Sequence, residues 1–257
     1  MENDEYDIQK ISKFTNQYLN KTIVNNDSAI IKTTTYSFII MTVILSLITI
    51  ILISNIPVVY KSDWSIPLYI SIAVVFVATC NFIFMTNYWR KNKTSPTIYR
   101  YIDWIITVPL QLVEFYFIIY YSGIEIPDRY FIQLFTAGIL MILFGWLGES
   151  GKIPFWWGFI IGMFFWIYII FELFYGKLAE AVNKISDCFT KKSYSILKWI
   201  IFIGWSIYPI GYITSKYKNG LWKDILYNFG DLINKITFVI IIAAVSVINS
   251  NKKNVDK

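Results

Sequence analysis

Seven long apolar runs constrain what this chain can fold into more than any other feature. A helix crossing a bilayer needs about 20 mostly apolar residues, because each residue advances it by about 1.5 Å across a hydrocarbon core of about 30 Å. Runs of that kind lie at approximately Thr34–Ser54, Pro67–Tyr88, Tyr101–Tyr121, Tyr130–Leu147, Pro154–Tyr175, Ser195–Ile213 and Leu221–Ile248. The short polar connectors KSDWSI, WRKNKTSPT, SGIEIPDR, GESGK and TSKYKNG separate them, and a longer Lys-containing connector runs from Gly176 to Ser195. In lipid each backbone N–H and C=O must find its partner within the segment, so such runs fold as helices. The expected fold class is all-α, a seven-transmembrane-helix bundle, and the first expected partner is the lipid bilayer. Three parts are expected: a polar N-terminal segment (1–33), the seven-helix domain (34–248) and a polar C-terminal tail (249–257). The first part is only weakly patterned for a helix. It does not read as a cleaved signal, because the apolar run behind it starts late and is long enough to span.

Composition removes several function classes. Hydrophobic residues make up 56% of the 257 and charged residues 16%, against about 25% charged in soluble domains. There is no His, so imidazole triads, His metal sites and imidazole proton shuttles are excluded. The two Cys, Cys80 and Cys188, fall in an apolar run and a polar loop, which argues against a disulfide and against a thiolate zinc site. The net charge of +6 fits loop lysines near headgroups rather than nucleic-acid binding. Lys and Arg occur on both sets of alternating loops, so the positive-inside rule does not fix the orientation.

Ionisable residues inside a span are costly and are functional candidates by default. The third span carries Asp103 and Glu114, with Arg100 at its mouth; the seventh carries Asp231 and Lys235. Glu172, near the end of the fifth span, reads as a headgroup-level residue. Asp103, Thr107 and Glu114 are spaced by four and seven residues, which places all three on one helical stripe, with the two carboxylates about 16 Å apart along the axis. That column suits proton transfer. The alternative is a set of polar residues that staples helices together. Asp231 and Lys235 are spaced i,i+4 and share a face; a structural ion pair is the plain alternative there. Trp205, Tyr208, Pro209 and Tyr212 recur at turn spacing in GWSIYPIGY, and Trp104 and Trp166 join them if the helices face one interior. Such aromatics often only pack. Beside a single intramembrane Lys they suggest a flat hydrophobic ligand held covalently.

The stretch RYIDWIITVPLQLVE from Arg100 to Glu114 resembles the third helix of microbial rhodopsins, and of proteorhodopsins in particular. GWSIYPIGY in the sixth span, YNFGDLINK in the seventh and GESG at 148–151 are similar to the same family. The resemblance covers all seven spans. It implies that Lys235 forms the Schiff base with all-trans retinal. It implies that Asp103 is the primary counterion and proton acceptor, Asp231 the second counterion and Glu114 the proton donor. Thr107 would bond near Asp103, and Arg100 would steady the cluster from the extracellular side. Trp104, Trp166, Trp205 and Tyr208 would box the polyene, and Met141, Gly145 and Pro209 would line it. Val108, Gln111 and Asn234 belong to the same cofactor-binding set. The family also implies an extracellular N-terminus, a cytoplasmic C-terminus, placement in the plasma membrane and a homo-oligomer, a pentamer first of all. The expected activity is that of a light-driven ion transporter and not an enzyme.

The implied chemistry agrees with the residues. A protonated Schiff base in a dry pocket needs a counter-carboxylate, and a second carboxyl about three turns away in apolar surroundings is expected to hold a proton until it is needed. In the family, the triplet Asp103, Thr107 and Glu114 belongs to outward proton pumps, whereas chloride pumps lack the first acid and sodium pumps carry Asn, Asp and Gln. Gln111 takes a position that is Gln in blue-absorbing and Leu in green-absorbing proteorhodopsins, so blue absorption is expected. Phe159 stands where carotenoid-binding relatives have Gly, so no antenna is expected. Two departures are visible. Asn81 replaces a His that usually hydrogen-bonds the counterion aspartate, and Phe82 replaces a Tyr that usually reaches toward the second counterion. The rival readings are a slow light sensor, which Glu114 argues against, a light-gated channel, and a seven-helix receptor or carrier without retinal.

Overall fold

A computed structural model describes the backbone of residues 2–216 and 221–255, with side chains described for 28–216 and 222–252. The helices are α1 (Glu2–Ser54), α2 (Ile56–Val59), α3 (Ser65–Asn92), α4 (Thr97–Tyr121), α5 (Arg129–Glu149), α6 (Phe155–Phe174), α7 (Lys177–Asn183), α8 (Cys188–Phe202), α9 (Ile207–Ser215) and α10 (Leu221–Val255). Among the described residues, seven stretches are long and apolar enough to cross a membrane, and each overlaps one of the runs read from the sequence.

Three boundaries differ from the sequence reading. The N-terminal segment is helical from Glu2, because no Gly or Pro interrupts the chain before the end of the first span. Much of the connector from Gly176 to Ser195 is also helical. It holds α7 and the first turns of α8, leaving residues 184–187 as the turn. Asp187 starts α8 as an N-cap whose carboxylate accepts from the Thr190 backbone N–H at 2.8 Å and from its hydroxyl at 2.7 Å. The sixth span is broken by a 3-10 turn at Gly204–Ser206. Pro209 has no N–H to offer the carbonyl of Trp205, and the Asn234 amide takes the Gly204 carbonyl at 2.9 Å. A Cβ on Gly204 would stand 1.9 Å from Asn234 Oδ1, so a larger residue there would have to displace the Asn234 amide.

Burial is uneven, and it explains where charge is tolerated. In the third span 72% of the apolar window is buried, against 17% in the fifth. The bundle is thus built round α4, and α6 turns its aromatic and aliphatic side chains to lipid. α10 joins two apolar clusters. Phe238 and Ile242 pack with α4, α5 and α8, while Val239 and Ala243 pack with α1 and α3. Hydroxyl pairs hold α1 to α3, with Thr42 and Thr86 at 2.9 Å and Thr49 and Thr79 at 3.1 Å. Lipid-like surroundings give helices no hydrophobic reason to associate, so such polar pairs and close packing supply it.

Candidate functional site

α4 and α10 face each other in the middle of the bundle, and their polar stripes meet. Asp103, Thr107, Glu114, Asp231, Asn234, Lys235 and Arg100 are all buried. The Lys235 ammonium is hydrogen-bonded and ion-paired with Asp103 Oδ2 and lies 3.6 Å from Asp231 Oδ1. That Asp231 oxygen also accepts from Trp104 Nε1 at 3.2 Å and from the Tyr208 hydroxyl at 2.9 Å. Arg100 Nη1 lies 3.6 Å from Asp231 Oδ2. One buried ammonium therefore sits between two carboxylates, with a guanidinium beyond the second. Removing one member of such a group would strand a charge, at a cost of about 3–5 kcal/mol.

The two departures take definite shapes. The Asn81 amide donates to the Val77 carbonyl of its own helix at 3.0 Å. Phe82 is fully buried, and the Arg100 guanidinium lies 5.9 Å from its ring centroid. Asp231, lacking a Tyr at position 82, takes its donors from Trp104 and Tyr208 instead. Thr107 donates to the backbone carbonyl of Asp103 at 3.0 Å, so it touches that residue through main chain rather than through the carboxylate.

Glu114 stands apart from this cluster. Its Oε1 accepts from Ser71 at 2.6 Å, and its Oε2 has no hydrogen-bond partner among the described residues. Ser71 is a partner that the sequence did not single out; it lies on α3, and only the packing of α3 on α4 brings it there. Gln111 is buried on α4, and its Nε2 has no hydrogen-bond partner among the described residues.

Beside the charged cluster lies a cavity with about 660 Å³ of space not filled by atoms, part of it open to the exterior. Of the residues that the resemblance assigns to the cofactor, Trp104, Val108, Met141, Gly145, Trp166, Trp205, Tyr208 and Pro209 line it. Tyr212, read with the same aromatic set, and Phe159, read as the antenna position, also line it, as do Tyr101, Ile142, Gly158, Gly162, Met163 and Tyr227, which the sequence did not single out as lining. Lys235, Gln111 and Asn234 are not among the lining residues. Trp104 and Tyr208 link the two regions, since each lines the cavity and donates to Asp231. Gly148 and Gly158 let α5 and α6 approach closely, since a Cβ on Gly158 would stand 2.5 Å from the Gly148 Cα. An apolar cavity walled by aromatic rings, with a buried primary amine and two carboxylates beside it, suits a polyene aldehyde joined to lysine. Among the described residues no group of three potential metal ligands occurs.

A second polar network, also missed in the sequence, fills the end of the bundle that carries residues 93–97. Arg100 Nη2 donates to Asn228 at 2.8 Å and to Asp224 at 3.2 Å, and Ser95 donates to Asp224 at 2.9 Å. Lys223 pairs with Glu149 at 2.6 Å. A signal for part of it existed: Asp224, Asn228, Asp231 and Lys235 are spaced four, three and four apart, one continuous polar stripe.

Comparison with known proteins agrees with this geometry. The family model described as bacteriorhodopsin-like protein matches residues 32–249. A green-light absorbing proteorhodopsin of Gamma-proteobacterium EBAC31A08 is 35% identical over 195 residues, 74% of this chain and 78% of that protein. A blue-light absorbing proteorhodopsin of Gamma-proteobacterium Hot 75m4 is 35% identical over 196 residues, 74% and 77%. The crystal structure of blue light-absorbing proteorhodopsin from Med12 superimposes with a TM-score of 0.69 at 32% identity, covering 84% of this chain and 98% of that one. Exiguobacterium sibiricum rhodopsin superimposes with a TM-score of 0.73 at 29% identity, covering 85% and 97%. The chain belongs to the bacteriorhodopsin-like family: it is an integral membrane rhodopsin of the light-driven proton-pump type, a transporter and not an enzyme, whose cofactor is retinal held as a Schiff base.

Proposed function

We propose that this protein pumps protons outward and absorbs blue light, with Lys235 as the retinal attachment, Asp103 as proton acceptor, Asp231 as second counterion and Glu114 as proton donor. The observation that carries the reading is the position of Lys235, paired with Asp103 and close to Asp231, on the axis that joins Arg100 to Glu114. Bound retinal supplies light absorption and an isomerisation that reorients the Lys235 nitrogen. Asp103 is in contact with that nitrogen and is placed to take its proton. Asp231 keeps its charge compensated by Arg100 and by two aromatic donors. Thr107 ties the turn that carries Asp103 and so fixes the direction of its carboxylate. Glu114 is buried and has no ion-pair partner among the described residues; Ser71 holds one of its oxygens in place.

The same reading assigns Trp104, Val108, Met141, Gly145, Trp166, Trp205, Tyr208 and Pro209 to the polyene, Asn234 to the turn that presents Trp205, and Gln111 to colour tuning. A buried amide one turn from Thr107, with a free N–H group, supports the blue assignment. It also places the N-terminus outside, the C-terminus in the cytoplasm, the protein in the plasma membrane and its copies in a ring, a pentamer first of all.

The test is the light-induced pH change of an unbuffered suspension of cells that make the protein and are supplied with all-trans retinal. External acidification abolished by a protonophore supports outward pumping. A pigment that forms without any pH change would overturn it and bring forward the sensor and channel readings, which voltage clamp separates. An absorption maximum in the green would overturn the Gln111 assignment alone.

A further inference from the structure

Two walls of the retinal cavity are held from outside it. Tyr101 and Tyr227 line the cavity, and both hydroxyls point to one carboxylate oxygen, Glu149 Oε2, at 2.7 and 3.5 Å. The other oxygen, Oε1, takes the Lys223 ammonium at 2.6 Å, and Lys223 also donates to Thr97 at 3.1 Å. The pair is largely shielded, with side chains 10% and 3% exposed. Glu149 ends α5, Lys223 lies in the first turn of α10, and Thr97 and Tyr101 lie at the start of α4. Three helices are thus pinned at one point. The effect reaches the counterions through Trp104. Its ring packs edge-on against Tyr101 at 5.3 Å and Tyr227 at 4.9 Å, and its N–H holds Asp231. On the other side, Lys223 precedes Asp224, which is bonded to Arg100.

We propose that Glu149 and Lys223 are positioning residues of the pigment: their buried ion pair fixes Tyr101 and Tyr227 against the retinal cavity and, through Trp104 and Arg100, sets the counterion geometry around Lys235. Two considerations favour this over a plain helix staple. A staple needs only the ion pair, whereas here the carboxylate spends its second oxygen on two tyrosines that wall the cavity. Both tyrosine rings also pack edge-on against Trp104, so a change at Glu149 is passed on to the ring whose N–H holds Asp231. The titratable and charged groups around the pair are Tyr101 from α4, Tyr212 from α9, and Tyr227 and Asp224 from α10. The proposal rests on Lys235 carrying retinal as in the proposed function.

The test uses the full chain with all-trans retinal and the variants Glu149→Gln, Lys223→Met, Tyr101→Phe and the Glu149→Gln/Lys223→Met double variant. The readouts are the absorption maximum, the pH midpoint of its colour change, and thermal unfolding of both the retinal-free and the retinal-bound protein. Glu149→Gln and Lys223→Met are expected to move the pH midpoint by about one unit in opposite senses, the size of one nearby charge. The double variant returns toward the parent. Tyr101→Phe moves the absorption maximum while leaving the pair intact. Variants that lose thermal stability but keep the parent's absorption maximum and midpoint would overturn the proposal and leave a staple. If a single variant fails to fold, the double variant and Tyr101→Phe still decide. A parent chain that forms no pigment is a failure of the proposed function; a normal parent with spectrally silent variants is a failure of this inference only.

Discussion

The two ends of the bundle are built on opposite principles. Toward residues 93–97, charge is dense and cross-linked, with Arg100, Asp224, Asp231, Lys223, Glu149, Asp103 and Lys235 joined in a nearly continuous run of ion pairs and hydrogen bonds from the mouth to the middle. Toward the other end Glu114 is the one fully buried carboxyl among the described residues, with one hydroxyl beside it. Phe115, Tyr194 and Phe238 stack edge-on beyond it. On the proposed reading, a proton placed on Asp103 enters the polar region and one leaving Glu114 crosses the apolar one. The comparison teaches that the electrostatics on the two sides of Lys235 are unequal, and that a single helix, α4, carries both environments because it is buried along most of its length.

The largest test breaks the centre itself. Lys235→Ala is expected to abolish the visible absorption band formed on adding all-trans retinal. It also leaves Asp103 without its cation, so a fall in unfolding free energy of about 3–5 kcal/mol is expected. Next, Asp103→Asn keeps Lys235 available, so a coloured protein is expected whose light-driven acidification falls to the level of dark controls. A variant that pumps normally would remove Asp103 from the path. On the dry side, Glu114→Gln is expected to slow recovery of the resting pigment after a flash by about 10²-fold or more, the usual worth of a positioned proton donor. Ser71→Ala should slow it by about tenfold or less, since it removes one hydrogen bond. Recovery unchanged in both would show that the two ends differ in structure but not in function.

The smallest expected effect lies at the membrane surface, where a charged tie can be compared with the buried ones. Burial works against ionisation of Asp187, but bonds from Lys252 and Thr190 outweigh it and hold its pKa at about 2. Against an unfolded value of about 3.9, the tie contributes its full stability above about pH 4 and loses it as the pH falls toward 2. The side chains are 52% and 29% exposed, so Lys252→Ala should cost less than about 1 kcal/mol at neutral pH, and less still at high salt. Thermal unfolding at several pH values and salt concentrations checks this.

Much of the site could be read from spacing. Asp103, Thr107 and Glu114 share a stripe because a helix brings residues four and eleven apart onto one face, and Asp231 and Lys235 follow the same rule. The aromatic walls at Trp104, Trp205 and Tyr208 followed from their place beside those charges. Ser71 and Glu149 were missed for a different reason. Each lies on a helix whose own pattern gives no hint that it faces a charge, and each acquires its role from a neighbour 43 or 74 positions away. Asp224 and Asn228 were legible and overlooked, since they continue the stripe of Asp231 toward the mouth. The break in the sixth span at Gly204 could not be placed from the sequence. Pro209 signals a weak point, but only Asn234 on another helix fixes which carbonyl is taken up.

The sequence by itself determined the class of molecule: seven apolar helices in lipid, one lysine and three acids deep within them, and the absence of any histidine chemistry. Those are consequences of the cost of exposing backbone and charge to hydrocarbon, which acts on each segment separately. The tertiary structure decided which charges are paired, that Arg100 reaches Asp224 as well as Asp231, that Thr107 bonds a backbone carbonyl, and that Glu149 and Lys223 brace the cavity walls. Those depend on distances between helices. Helix rotation and crossing are fixed by side-chain packing over the whole bundle, which no single segment contains.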